Sequence, residues 1–214
     1  EAMVQALGLK QGGFYVYGSS WGTCLAQEYA VLRPEGLKGL ILDGALCDGQ
    51  LYIQTQWRDV LSSLPTHTQK MLKQLEDTKD YESPMYAKMN EVLTRHFTTR
   101  QVPHPQCWHD AVSGCNEKIY VAMQGKSEFT LGGQLEFWSI TERNANINVP
   151  TLVMRGEFDT MSEACHNAVV DSIPTAWPLV TIPRAAHCKF LDEPQLCVDA
   201  IQKFLNTCDL TRRR

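Results

Sequence analysis

Residues Gly18-Ser19-Ser20-Trp21-Gly22 constrain this chain more than any other stretch. They fit the pattern G-x-S-x-G with Ser20 at the centre, and both flanks suit it. Phe14-Tyr15-Val16-Tyr17 reads as a short strand of aromatic and β-branched residues. Thr23 to Leu32 reads as a helix that stops at Arg33-Pro34-Glu35-Gly36. Strand, sharp turn, serine and helix make a nucleophile elbow, with a plain structural turn as the alternative reading. Such a turn lifts the serine hydroxyl above the sheet. Its small glycines let the strand and helix backbones approach, and the helix N-terminus aims free N–H groups at a developing oxyanion.

The surrounding pattern predicts an α/β fold. Leu37-Lys38-Gly39-Leu40-Ile41-Leu42-Asp43 reads as a second strand, and two strands joined by one helix imply a parallel pair. From about Gln50 to Arg143 the chain turns helical and polar. Trp57, Val60, Leu61 and Leu64 share one helical face, Met71, Leu72 and Leu75 a second, and Met89, Val92, Leu93 and Phe97 a third. The α/β rhythm returns with a strand at Pro150–Arg155, a helix at about Ser162–Ile173, a strand at Leu179–Ile182 and an amphipathic helix at Glu193–Leu205. We therefore expect a parallel sheet flanked by helices, with residues 1–49 and 144–214 forming the core and residues 50–143 a helical cap or lid. Glu1 to Leu9 reads as the tail of a helix ended by Gly8. A chain that opens this way, just ahead of its elbow strand, is expected to be a C-terminal portion of a longer fold.

Composition narrows the classes. A formal net charge of −4 over 214 residues, with no basic stripe beyond Arg212-Arg213-Arg214, argues against a nucleic-acid partner. No apolar run approaches a membrane span. The eight cysteines contain no C-x-x-C pair, so a zinc ribbon or redox motif is not expected. Mostly free, buried thiols in a reducing, cytoplasmic compartment are the reading adopted, with a Cys107–Cys115 pair as the alternative.

A serine hydroxyl needs a base, and the base needs an orienting acid. In this architecture the chain order is serine, acid, histidine. Asp159 follows a strand in Gly156-Glu157-Phe158-Asp159, and His187 follows the next in Arg184-Ala185-Ala186-His187. Loops at the carboxyl ends of parallel strands are where ligands meet an α/β sheet. Asp43 also ends a strand and is the alternative acid. His166 falls inside a helix and is assigned a structural or solvated role. Asp192 is expected to cap the final helix. The N–H of Trp21 would supply one oxyanion donor. A second would come from a loop after an earlier strand. Gly12-Gly13 and Gly132-Gly133 are wrongly placed for it, so the chain by itself is expected to be inactive or poorly soluble.

These segments, with Leu25-Ala26-Gln27-Glu28-Tyr29-Ala30, Arg33-Pro34-Glu35-Gly36-Leu37 and Gly125-Lys126-Ser127-Glu128-Phe129-Thr130, resemble the proline iminopeptidase branch of the α/β-hydrolases. The likeness covers both core segments and the end of the insert, but little of residues 62–113. It implies a Ser20–His187–Asp159 triad that releases an N-terminal residue, often proline, from small peptides or aminoacyl amides. It implies no metal and no other cofactor. It also implies that acidic residues hold the substrate's free amine, here Glu128 and Glu157, with Tyr120 in support. Lys126-Ser127 stands where the family has Pro-Asn, and the family's His-Gly-Gly-type loop has no counterpart. An amino-acid amidase or esterase on the same scaffold, or a catalytically incomplete fragment, are the competing expectations.

Overall fold

The computed structural model describes residues 1–127 and 129–212, the side chains of 211 and 212 apart. Two short helices, α1 (Ala2–Ala6) and α2 (Leu9–Gly12), are separated by Gly8, whose φ of 63° breaks them as its sequence position suggests. Strand β1 (Phe14–Ser19) then leads through Ser20 into α3 (Trp21–Ala30), and β2 (Leu37–Asp43) follows. All residues of β2 except Lys38 are buried, as a strand covered on both faces requires.

The insert consists of α4 (Gly49–Thr55), α5 (Thr66–Thr78), α6 (Pro84–Leu93), α7 (Gln106–Ser113) and α8 (Glu117–Gln124). Three are opened by caps: Asp48 Oδ1 accepts the Leu51 N–H at 2.8 Å, Ser83 Oγ accepts the Tyr86 N–H at 3.2 Å with Pro84 just inside, and Asn116 Oδ1 accepts the Ile119 N–H at 3.3 Å. The three helical faces read from the sequence meet in one small core, where Leu61, Leu72, Leu75, Leu93 and Phe97 pack on Tyr86 and Phe129. The chain reaches it through wide turns at Gln56–Val60 and Thr94–Thr98, which reset the side-chain phase that a straight helix would keep.

Strand β3 (Thr151–Gly156), α9 (Glu163–Ser172), β4 (Val180–Ile182), α10 (Lys189–Asp192) and α11 (Pro194–Arg212) complete the fold. The sheet is parallel in the order β1-β2-β3-β4, which leaves β1 at one edge among the described residues. The closing helix runs seven residues beyond the expected end at Leu205, because Cys208 continues its apolar stripe. Phe204, at its centre, meets Tyr15 and Trp177 edge to face at 6.4 and 5.0 Å. All eight cysteines are free; five are buried, and Cys107 and Cys115 are exposed. No helix among the described residues is long and apolar enough to cross a membrane.

His166, on α9, is wholly buried and ties the insert-side helix to the end of β2. Its Nε2 accepts the Ala45 N–H at 3.0 Å, and its Nδ1 lies 2.8 Å from the Ser162 carbonyl. The Ala45 donor requires Nε2 to be unprotonated, so Nδ1–H donates to Ser162 and both ring atoms are satisfied only in the neutral form. Burial pushes this imidazole down to about 4, against an ordinary value of 6.5. The unfolded chain therefore binds the proton first. The contribution is complete above pH 6.5 and is lost as the pH falls toward 4. Urea denaturation should show stability falling by about 2 kcal/mol between pH 7.5 and pH 5. A His166→Leu variant should be less stable at pH 7.5 yet flatter across that interval.

Candidate active site

Ser20 occupies the elbow with φ 53° and ψ −125°, a conformation that L residues rarely adopt. It is held there from both sides. Its N–H donates to the Asp43 carbonyl at 2.8 Å, and its own carbonyl accepts the Thr23 N–H and hydroxyl at 2.8 and 2.7 Å. The turn is possible because Gly18 lacks a side chain: a Cβ there would lie 2.4 Å from the Gly22 carbonyl oxygen and 2.9 Å from Ala26 Cβ. Gly22 itself faces open space, so of the two glycines only Gly18 is required for the close approach. As the first residue of α3, Trp21 has an N–H without an intrahelical acceptor.

Asp159 is almost fully buried at the end of β3. Its Oδ2 accepts the Gly156 N–H at 3.2 Å, and its Oδ1 accepts the Met161 N–H at 3.0 Å and lies 2.7 Å from His187 Nδ1. Burial alone would raise this carboxyl, but the His187 and Lys189 charges beside it override burial and hold it well below the usual carboxylate range. With Nδ1–H donating to Asp159, the His187 Nε2 is left as the basic atom.

The loop bearing His187, residues 183–188, is clamped by the insert. The Phe97 carbonyl accepts the N–H groups of both His187 and Thr160, at 3.0 and 3.1 Å, and the Thr98 carbonyl accepts Cys188 N–H at 2.6 Å. Asp192, expected to cap the final helix, does something else. Its Oδ1 accepts Thr99 Oγ1–H and Arg100 N–H at 3.0 and 2.9 Å, and its Oδ2 accepts Ala186 N–H at 2.8 Å. It lies in α10, ahead of the final helix, so its carboxylate reaches across to the insert.

Ser20, Trp21 and His187 open onto a cavity of about 360 Å³. Its other walls come from Leu46 and Met161 of the core and from Tyr52, Leu93, Ile119, Tyr120, Met123, Leu131 and Leu135 of the insert. A second, more open cleft reaches Ser20 and His187 from the β1 side, past Tyr17, Trp108 and Phe190.

The structure thus brings together Ser20, Trp21, Asp159 and His187, with Tyr120 on the cavity wall. Glu157 is not on that wall. It is exposed, and its Oε2 accepts the Arg184 N–H at 2.7 Å. Glu128 lies outside the described residues. Asp43, the alternative acid, does not face His187 as an orienting carboxylate. Its Oδ2 accepts the Tyr17 hydroxyl at 2.5 Å and its Oδ1 pairs with Lys189. Sequence reading missed Lys189 and the Phe97–Thr98 carbonyls. A backbone acceptor leaves no mark in a sequence, and Lys189 carries only the oddity of a cation in the apolar run Cys188 to Leu191.

Residues 1–194 match the family model of the α/β-hydrolase fold, so the chain belongs to that family. Its branch is that of the proline iminopeptidases. The proline iminopeptidase of Heyndrickxia coagulans is 30% identical over 204 residues, covering 95% of this chain and 69% of the relative. That of Flavobacterium johnsoniae is 28% identical over 96% of this chain and 69% of its own length. Among solved structures, the Mycobacterium smegmatis proline iminopeptidase superposes with a TM-score of 0.90 at 30% identity, covering 99% of this chain and 70% of that one. VinJ shares the fold, with a TM-score of 0.89 at 24% identity over 97% of this chain and 70% of its own.

Gly44, just past β2, has a φ of 66°, and a Cβ there would lie 2.5 Å from His187 Cε1 and 2.8 Å from Nδ1. Gly44→Ala should therefore push the imidazole away from the position in which its Nδ1 meets Asp159. We expect kcat to fall about 100-fold with little change in KM, read from steady-state kinetics on the best amide reporter.

Proposed function

We propose that the chain is a serine hydrolase of the aminopeptidase type, releasing an N-terminal residue, proline foremost, through an acyl-enzyme. The observation that carries this reading is the meeting of the elbow serine with the hydrogen-bonded Asp159–His187 pair at one cavity. Ser20 Oγ attacks the substrate carbonyl while His187 Nε2 takes its proton. His187 then gives that proton to the leaving amine, and water repeats the sequence on the ester. Asp159 fixes the ring and stabilises the imidazolium. The Trp21 N–H donates to the tetrahedral oxyanion from the first turn of α3.

The free amine of the substrate is assigned to Glu128, Glu157 and Tyr120 on the family resemblance. A cation leaving water needs such anions, since its desolvation costs several kcal/mol, roughly, per ion. Tyr120 stands at the cavity, whereas Glu157 would first have to release the Arg184 N–H. That engagement, with walls otherwise dominated by apolar side chains, favours a second reading: an esterase or amidase for uncharged apolar substrates on the same triad.

Hydrolysis of prolyl, alanyl and N-blocked prolyl amide reporters, with Ser20→Ala as the control, separates the two. The aminopeptidase reading expects turnover of the free-amine reporters only, abolished in Ser20→Ala. Glu128→Gln should raise KM for these by 10-fold or more while sparing neutral esters. Equal turnover of blocked and free substrates would instead establish the esterase or amidase. No Ser20-dependent turnover of any reporter by folded protein would refute both.

A further inference from the structure

Behind the triad lies a buried cation that the chemistry above does not use. Lys189 is fully buried, two residues past His187 in α10. Its Nζ donates to the His187 carbonyl at 2.9 Å, pairs with Asp43 Oδ1, and stands 3.5 Å from Asp159 Oδ2. The ammonium therefore touches the acid of the triad, the main chain of its base, and a second carboxylate at the end of the neighbouring strand. Each of its three protons has an oxygen within reach. A lysine enters a protein interior charged only where anions are fixed beside it.

We infer that Lys189 is a positioning residue of this site: balanced by Asp43, its ammonium offsets the negative charge that Asp159 presents to His187 and holds the His187 loop in place. The inference rests on the triad reading of Ser20, His187 and Asp159. Geometry supports it independently of any titration. Asp159 already spends Oδ1 on His187 and Met161, so Lys189 is the charge that faces its other oxygen. Asp43 is in turn fixed by the Tyr17 hydroxyl, which keeps it from competing for the imidazole.

Other groups surround the cluster. Burial pushes the thiols of Cys188 and Cys197 up to about 11, so near neutral pH they add no charge. Tyr17 is also raised, by burial and by Asp43. His166 is neutral above its lowered value, and the Asp192 carboxylate is engaged by Thr99, Arg100 and Ala186. Two anions and one cation thus act on His187, and their sum has a sign that substitution can move in either direction.

The test is an NMR titration of the His187 ring, identified by its loss in His187→Gln, run beside the pH profile of kcat/KM. Lys189→Met removes the positive charge and should raise the His187 pKa by about one unit, moving the acid limb of kcat/KM to higher pH. Asp43→Asn removes a negative charge and should move both the opposite way. The double variant should bring both back toward the wild-type position. A purely structural lysine would lower the melting temperature of Lys189→Met and leave the ring titration where it was, which would overturn the inference. Should Lys189→Met fail to fold, Asp43→Asn alone decides, since an unmoved or upward titration there contradicts the charge balance. The ring titration needs no turnover, so absence of Ser20-dependent activity would refute the triad reading without obscuring the result for Lys189.

Discussion

The rest of the site depends on one buried carboxylate. Asp159 is held out of water with an ionised group, a state that is tolerated only where both oxygens are engaged. Two backbone N–H groups, an imidazole and an ammonium meet that demand. Each partner comes from a different place: the end of β3, the turn after it, the loop after β4, and α10. Satisfying the carboxylate therefore fixes the turn after β3 relative to the loop after β4 and α10, and the imidazole is oriented as a consequence. Breaking such a pair by removing one partner typically costs about 3–5 kcal/mol.

The insert acts on this arrangement through main-chain atoms. The Phe97 carbonyl accepts from the loops of both acid and base, and Asp192 joins Thr99 and Arg100 to Ala186. Phe97 and Thr98 end the helical stretch that continues from α6 through Thr94–Thr98, where carbonyls have no partner within the helix, and these two accept from the loops instead. Phe97 packs meanwhile into the core of the insert with Leu93 and Tyr86. The packing of the insert and the placement of Asp159 and His187 are thus coupled through residues 97–100.

Much of this was legible in the sequence. The strand Leu37 to Asp43 agrees to the residue, because the apolar run Leu40-Ile41-Leu42, bounded by turns at Gly36 and Gly44, admits few other readings. The elbow and the two strand-end residues were legible because parallel topology dictates where loops can carry ligands. The misreadings share one physical origin. Asp192 looked like a cap because an acidic residue before Pro194 is a local signal, whereas its actual partners are about 90 residues away in sequence. Lys189 and the Arg184 contact of Glu157 went unread for the same reason. Ion pairing in the interior is decided by what the fold brings near, and no spacing rule encodes it.

In the proposed mechanism the apolar walls would contribute although they carry no reactive group. Leu93, Ile119, Met123, Leu131 and Leu135 keep the space in front of Ser20 poor in competing dipoles. A unit charge at a given distance interacts several-fold more strongly there than in water. In the proposed mechanism, charge developing on the oxyanion and on His187 would be met by fixed partners, the N–H of Trp21 and the Asp159 carboxylate, with little screening. Apolar side chains therefore suffice as walls where the polar groups behind them are already fixed in place. They also set the terms for any amine-bearing substrate. A cation entering this space finds Tyr120 at its margin but no carboxylate among the described residues of the wall. Its counter-charge must then come from residues other than those, or the substrate must be one that brings no charge.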